Sequence, residues 1–249
     1  MNPKTLSPKQ AAGLGIRLLK QKSDPIRARA AQRYFKEEIK SLGISAPIMR
    51  GLAGEIYEQI KEAWSVETAV EFCEILLPDP YHEVKALGIL VLEKFRQDFP
   101  KSFFLRIKGW LAKNYCDSWA LVDVLCPNSV GTLLQKYPEL VEKIKTWTAS
   151  PNRWVRRASI VSFIKLAKKP GYLDAIYQIA ALQFGDRDDL IQKANGWLLR
   201  EAGKANKPRL EKFLLKNGPA IPRTTLRYAI ERFDERRRKK LLEATKNVR

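Results

Sequence analysis

The 249-residue chain carries 46 Lys and Arg against 27 Asp and Glu, a formal net charge of +19, while 45% of its residues are hydrophobic. That is enough apolar side chain for a core, and the charge imbalance favours a polyanionic partner over an acidic protein surface or an uncharged ligand. No apolar run approaches the roughly 20 residues that a bilayer span needs, and the opening Met1-Asn2-Pro3-Lys4 lacks the apolar stretch of a secretory leader. A cytoplasmic protein with no membrane partner is expected.

Apolar residues recur at three- and four-residue spacing, and alternating stretches bounded by hairpin signals are missing, so the chain reads as all-α. Ser23-Asp24-Pro25 predicts a helix start and Leu42-Gly43 its end. Pro78-Asp79-Pro80, Phe99-Pro100, Pro127, Pro138, Pro170-Gly171 and Gly218-Pro219 then divide the remainder into helices of ordinary length. Short connections predict that successive helices are antiparallel neighbours. Cys73, Cys116 and Cys126 form no C-x-x-C pair, and with His82 as the single histidine they do not supply an ordinary zinc site. Neither a metal nor a cofactor is expected.

Three segments resemble one another: Glu83-Val84-Lys85-Ala86-Leu87-Gly88, Val155-Arg156-Arg157-Ala158-Ser159-Ile160 and Ile191-Gln192-Lys193-Ala194-Asn195-Gly196. Lys85, Arg157 and Lys193 lie in register, separated by 72 and then 36 positions. A period of about 36 to 40 residues predicts a helical-repeat solenoid of the HEAT or armadillo type with a concave basic groove. One such domain over residues 1–249 is expected, with a basic tail from about 234 to 249 built on Arg236-Arg237-Arg238-Lys239-Lys240. Arg153, Arg156, Arg157, Lys165, Lys168 and Lys169 have no acidic residue among them, a clustering that favours a binding surface.

The helix near the missing step of the repeat holds Ser118-Trp119-Ala120-Leu121-Val122-Asp123. Trp119 and Asp123 are spaced i, i+4 and so share one helical face. An Asp is costly to bury and a Trp is rarely left exposed, so the pair suits the wall of a cleft. Taken singly, Asp123 reads more readily as a helix cap or ion-pair partner, Trp197 as a core residue and Arg157 as one cation among many. In repeat register, Trp119, Asp123, Arg157, Lys193 and Trp197 are expected on one groove.

These residues resemble the AlkD-like alkylpurine DNA glycosylases, which are built from HEAT-like repeats. The resemblance covers most of the chain. It rests on Trp119-Ala120-Leu121-Val122-Asp123 with Cys126-Pro127, on Tyr137-Pro138-Glu139-Leu140 and on Trp154-Val155-Arg156-Arg157-Ala158. It continues in Ile191-Gln192-Lys193-Ala194-Asn195-Gly196-Trp197-Leu198-Leu199-Arg200-Glu201, and near the start in Arg33-Tyr34 and Leu42-Gly43-Ile44. It implies that Trp119 and Trp197 flank the deoxyribose of a lesion, that Asp123 is the essential carboxylate, and that Arg157 holds a nearby phosphate. Tyr34 would line the same cleft, with Lys85, Lys193 and Ser45 also on the DNA-binding face. The implied activity is hydrolysis of the N-glycosidic bond of cationic alkylated purines, 3-methyladenine and 7-methylguanine, in base excision repair. The partner would be double-stranded DNA containing alkylated bases, bound by a monomer associated with the nucleoid. Two positions depart from the family: Ala120 stands where an Asp is common, and Ser45 near where a Gln is common. Both bear on substrate range, since the spacing of Trp119 and Asp123 is intact. The alternative reading is a non-catalytic HEAT-like protein that binds branched or damaged DNA, and a third is a helical-repeat scaffold for proteins.

Overall fold

Helix starts follow the local chemistry of the chain in a computed structural model that describes residues 6–246. Ser7 and Gln10 close a capping box on α1 (Pro8–Gln21), and Asp24 accepts the N–H groups of Ile26 and Arg27 at the head of α2 (Pro25–Ala31). α3 (Ala46–Ile60), α4 (Val66–Leu76), α5 (His82–Leu92), α6 (Phe103–Ala112) and α7 (Trp119–Leu125) follow. These elements belong to the first of two compact units, which ends at Leu125. α5 is its axis: every residue from Glu83 to Ile89 is buried, and α1, α3, α4 and α7 all pack on it.

The second unit, from Cys126, opens with a π-helical turn, Cys126–Val130, that absorbs Pro127. It continues through α8 (Gly131–Lys136), α9 (Leu140–Lys145), α10 (Arg153–Val161) and α11 (Leu173–Leu182). α12 (Asp189–Ala205), α13 (Lys207–Asn217), α14 (Arg223–Ala229) and α15 (Glu235–Ala244) complete it. α12 is the counterpart of α5, with α10, α11, α13 and α14 against it. A Cβ at Gly196 would lie 2.4 Å from Cβ of Tyr228 and 2.6 Å from the Thr225 carbonyl oxygen, so only glycine admits α14 this close.

Polar links between neighbouring segments recur at spacings of 30 to 35 residues. Arg106 to Glu74 and Lys85 to Asp117 span 32 residues each, Arg157 to Leu190 spans 33, Arg153 to Asp188 spans 35 and Arg156 to Asp186 spans 30. The architecture is an all-α helical repeat. Among the described residues there is no strand, only an isolated bridge between Lys40 and Tyr81, and no helix is long and apolar enough to cross a membrane.

One expected helix is shorter than the breakers suggested. The segment beginning at Pro25 leaves helical geometry after a 3-10 turn at Gln32–Tyr34, and residues 35–45 run irregularly. Side chains from outside the segment's own backbone ladder satisfy its polar groups. Gln32 Nε2 donates to the carbonyls of Phe35 and Glu37, and the Glu83 carboxylate accepts the N–H groups of Leu42, Gly43 and Ile44 and the Ser41 hydroxyl. The C-terminal basic run also has more structure than a tail. Arg236 to Lys240 lie on α15, capped by Asp234 and seated through Leu241, while 247–249 fall outside the described residues.

Candidate functional site

α7 owes its start to Ser118, whose hydroxyl accepts the Leu121 N–H at 3.3 Å. Leu121, Val122 and Leu125 are buried, which leaves Trp119 and Asp123 half-buried on the other side of the helix, one turn apart. The Trp119 indole N–H donates to the Tyr34 carbonyl at 3.3 Å, and its ring stacks on Phe35 at 5.3 Å between centroids and 22° between planes. Tyr34 itself is 69% exposed, with the Arg33 guanidinium 5.9 Å from its ring centre. The segment 34–35 therefore brings an exposed phenol and the backing ring of Trp119 to the same place.

Behind that segment is a cavity of about 260 Å³ lined by Phe35, Glu37, Lys40, His82, Lys85 and Asp117 among others. Phe35 meets the His82 ring edge-on at 5.7 Å, and His82 Nδ1 lies 3.4 Å from the Ser118 hydroxyl. Burial holds the His82 imidazolium below the ordinary histidine range, with Lys85 adding to the effect and Glu83 and Asp117 opposing it. Lys85, expected as an open cation of the groove, is buried, and its ammonium is committed to Asp117 at 2.6 Å. Ser45 stands at the head of α3 without a side-chain cap bond, half-buried at the end of the loop that Glu83 organises.

In the second unit Arg157 is 5% exposed and donates through Nη1 to the Leu190 carbonyl at 2.6 Å, in the first turn of α12. Arg157 and Lys85 thus play parallel parts. Each is a buried cation reaching forward to the start of the helix that carries a candidate tryptophan. Lys193 is more open, its side chain 39% exposed beside Asp189 at 2.8 Å, and the hydrogen bond to that carboxylate raises its pKa. Trp197, half-buried, follows Lys193 by one turn and shares its face of α12. Arg153 and Arg156, counted in the acid-free cluster, are neutralised by Asp188 and Asp186 at 2.8 and 2.7 Å. The acidic partners lie a full repeat away in sequence, which is why a local reading of charge overlooked them.

Phe35 and His82 were not singled out by the sequence. Phe35 adjoins Tyr34 in an apolar, basic stretch and gives no local sign that it will back an indole 84 positions further on.

The model of a family described as DNA alkylation repair enzyme matches residues 16–233. Among solved structures, one described as "Predicted DNA alkylation repair enzyme from Enterococcus faecalis" superposes with a TM-score of 0.74 at 19% identity, over 86% of this chain and 98% of its own. No functionally curated protein matches. With an all-α helical repeat and a family match over most of its length, the chain belongs to the DNA alkylation repair enzyme family, and with it to the repair of alkylation damage.

Proposed function

We propose that this protein is a DNA glycosylase that hydrolyses the N-glycosidic bond of cationic alkylated purines, 3-methyladenine and 7-methylguanine, in duplex DNA. The observation that carries this reading is the side of α7 that is not buried, where the Trp119 indole, stacked on Phe35, stands one turn from the Asp123 carboxylate. In an N-alkylated purine nucleotide the base already bears a positive charge. Cleavage of the C1′–N bond sends its electron pair to the ring nitrogen, so the base departs neutral and the sugar becomes an oxocarbenium ion. A carboxylate beside C1′ stabilises that cation and takes the proton of the water that adds to it, leaving an abasic site. The tryptophan faces favour the cationic nucleoside by about 1–2 kcal/mol each where water is excluded. By its match to the family pattern, Trp197 is the second such aromatic. Lys193, on the same face of α12 as Trp197, and Tyr34 are assigned to the DNA backbone, and Arg157 sets the first turn of α12.

The test is base release from matched duplexes carrying 7-methylguanine, 3-methyladenine or uracil. Free methylated purine is expected from the first two and no uracil from the third, because a neutral leaving group needs a general acid that the Trp119 face does not offer. Tight binding of the alkylated duplex without release would establish the non-catalytic alternative instead, and efficient uracil release would overturn the one-carboxylate mechanism.

A further inference from the structure

We propose that His82 is a positioning residue for the Trp119 indole, acting through Phe35 on one side and through Ser118 on the other. The inference rests on the reading of Trp119 as a wall of the reactive site. The indole has two fixed points, the Tyr34 carbonyl and the Phe35 ring, and both belong to the segment that leaves helical geometry after Gln32–Tyr34. That segment is tied to α5 at its first residue: the His82 N–H donates to the Lys40 carbonyl at 2.8 Å, and the imidazole edge meets Phe35 at 5.7 Å. The same imidazole lies 3.4 Å from the Ser118 hydroxyl, the group that accepts the Leu121 N–H and so begins the helix on which Trp119 stands. One ring touches both the surface behind the indole and the cap of its helix.

The arrangement suits a neutral imidazole. With Nδ1 unprotonated, the Ser118 hydroxyl can donate to it while its oxygen still accepts from Leu121. A second ring proton would turn that acceptor into a donor, so the Ser118 hydroxyl would have to turn its own proton elsewhere while its oxygen receives both N–H groups. The charged groups around the ring are Glu83 and Lys85 on its own helix and Asp117 in the turn before α7. Glu37, Glu38 and Lys40 lie along the shared cavity.

The six tryptophans give six indole N–H resonances, and that of Trp119 is identified by its loss in Trp119→Phe. His82→Gln, which keeps a polar group and removes the ring, and Phe35→Leu should each displace the Trp119 resonance more than those of the other five. In the unaltered protein the same resonance should move as His82 takes its proton, and His82→Gln should abolish that movement. His82→Phe, which restores the edge contact to Phe35 but not the bond to Ser118, should bring the resonance part of the way back. Single-turnover base release should fall roughly ten-fold or more in His82→Gln with little change in Kd for DNA, as for a displaced reactive group. A Trp119 resonance that stays in place in both variants, or six that move together, would overturn the proposal. If the resonance moves as expected but the unaltered protein releases no base, the positioning role stands and the glycosylase reading fails.

Discussion

Asp123, on α7, and His82, at the head of α5, face opposite demands. In the proposed reaction the carboxylate has to stay charged beside a developing cation, so Asp123→Asn should keep the shape and lose the charge. Base release is expected to drop by at least two orders of magnitude, with duplex affinity and Tm nearly unchanged. Near-normal release in a single-turnover assay would remove Asp123 from the reaction. His82, by contrast, is held neutral by burial, below its ordinary 6.5. Well above pH 6.5 both folded and unfolded forms are unprotonated and the group costs no stability. As pH falls below that value the unfolded chain takes up a proton that the folded one accepts only at lower pH, so stability declines across the interval and levels off below the folded pKa. Urea denaturation of the protein and of His82→Gln through this window should show the extra decline in the former alone.

At the level of elements, α5 and α12 do the same work in their units, as buried axes whose first turns are held from the preceding segment, residues 41–44 on Glu83 and Arg157 on the Leu190 carbonyl. Glu83, 5% exposed, gathers four donors from residues 41–44 and so converts a stretch without helix or strand into a fixed loop. A buried carboxylate with that many partners is stabilising only while all of them remain. On α12 the tightest point is Gly196. Gly196→Ala would force its methyl group against Tyr228 and the Thr225 carbonyl, backbone and Cβ atoms that cannot swing away. A loss of about 1–3 kcal/mol is expected, with Tm lowered by roughly 5 °C. An unchanged melting curve would mean that α14 yields more readily than its contacts indicate.

For the whole molecule the question is how much of the +19 charge is available to a polyanion. Arg153 and Arg156 are spent on Asp188 and Asp186, and Lys85 on Asp117, whereas Lys165, Lys168, Lys169 and the Arg236, Arg238 and Lys240 side chains of α15 are exposed. Affinity for any duplex should therefore fall steeply with salt. Lys193→Ala should flatten the plot of log K against log salt by about 0.9, the value of one phosphate contact, while Arg156→Ala should change it much less. Equal effects of the two substitutions would show that the ion pair with Asp186 does not hold Arg156 back from DNA.

Most helices, and the spacing along them, were legible in the amino-acid order. Its 3.6-residue periodicity, its capping residues and its repeated Lys85, Arg157 and Lys193 segments lead to an all-α helical repeat, because those signals act between residues within a few turns of one another. The i, i+4 spacing of Trp119 and Asp123 is local in the same sense, and it survives in α7 unchanged. Which cations are buried in ion pairs, and what supports the indole, depends on contacts between distant segments. The partners of Lys85, Arg153 and Arg156 lie 30 to 35 residues away, and the backing ring of Trp119 comes from Phe35. The loop from 35 to 45 escaped for the same reason: its backbone donors find their acceptor on Glu83, some 40 residues on, and no local rule of helix breaking contains that carboxylate.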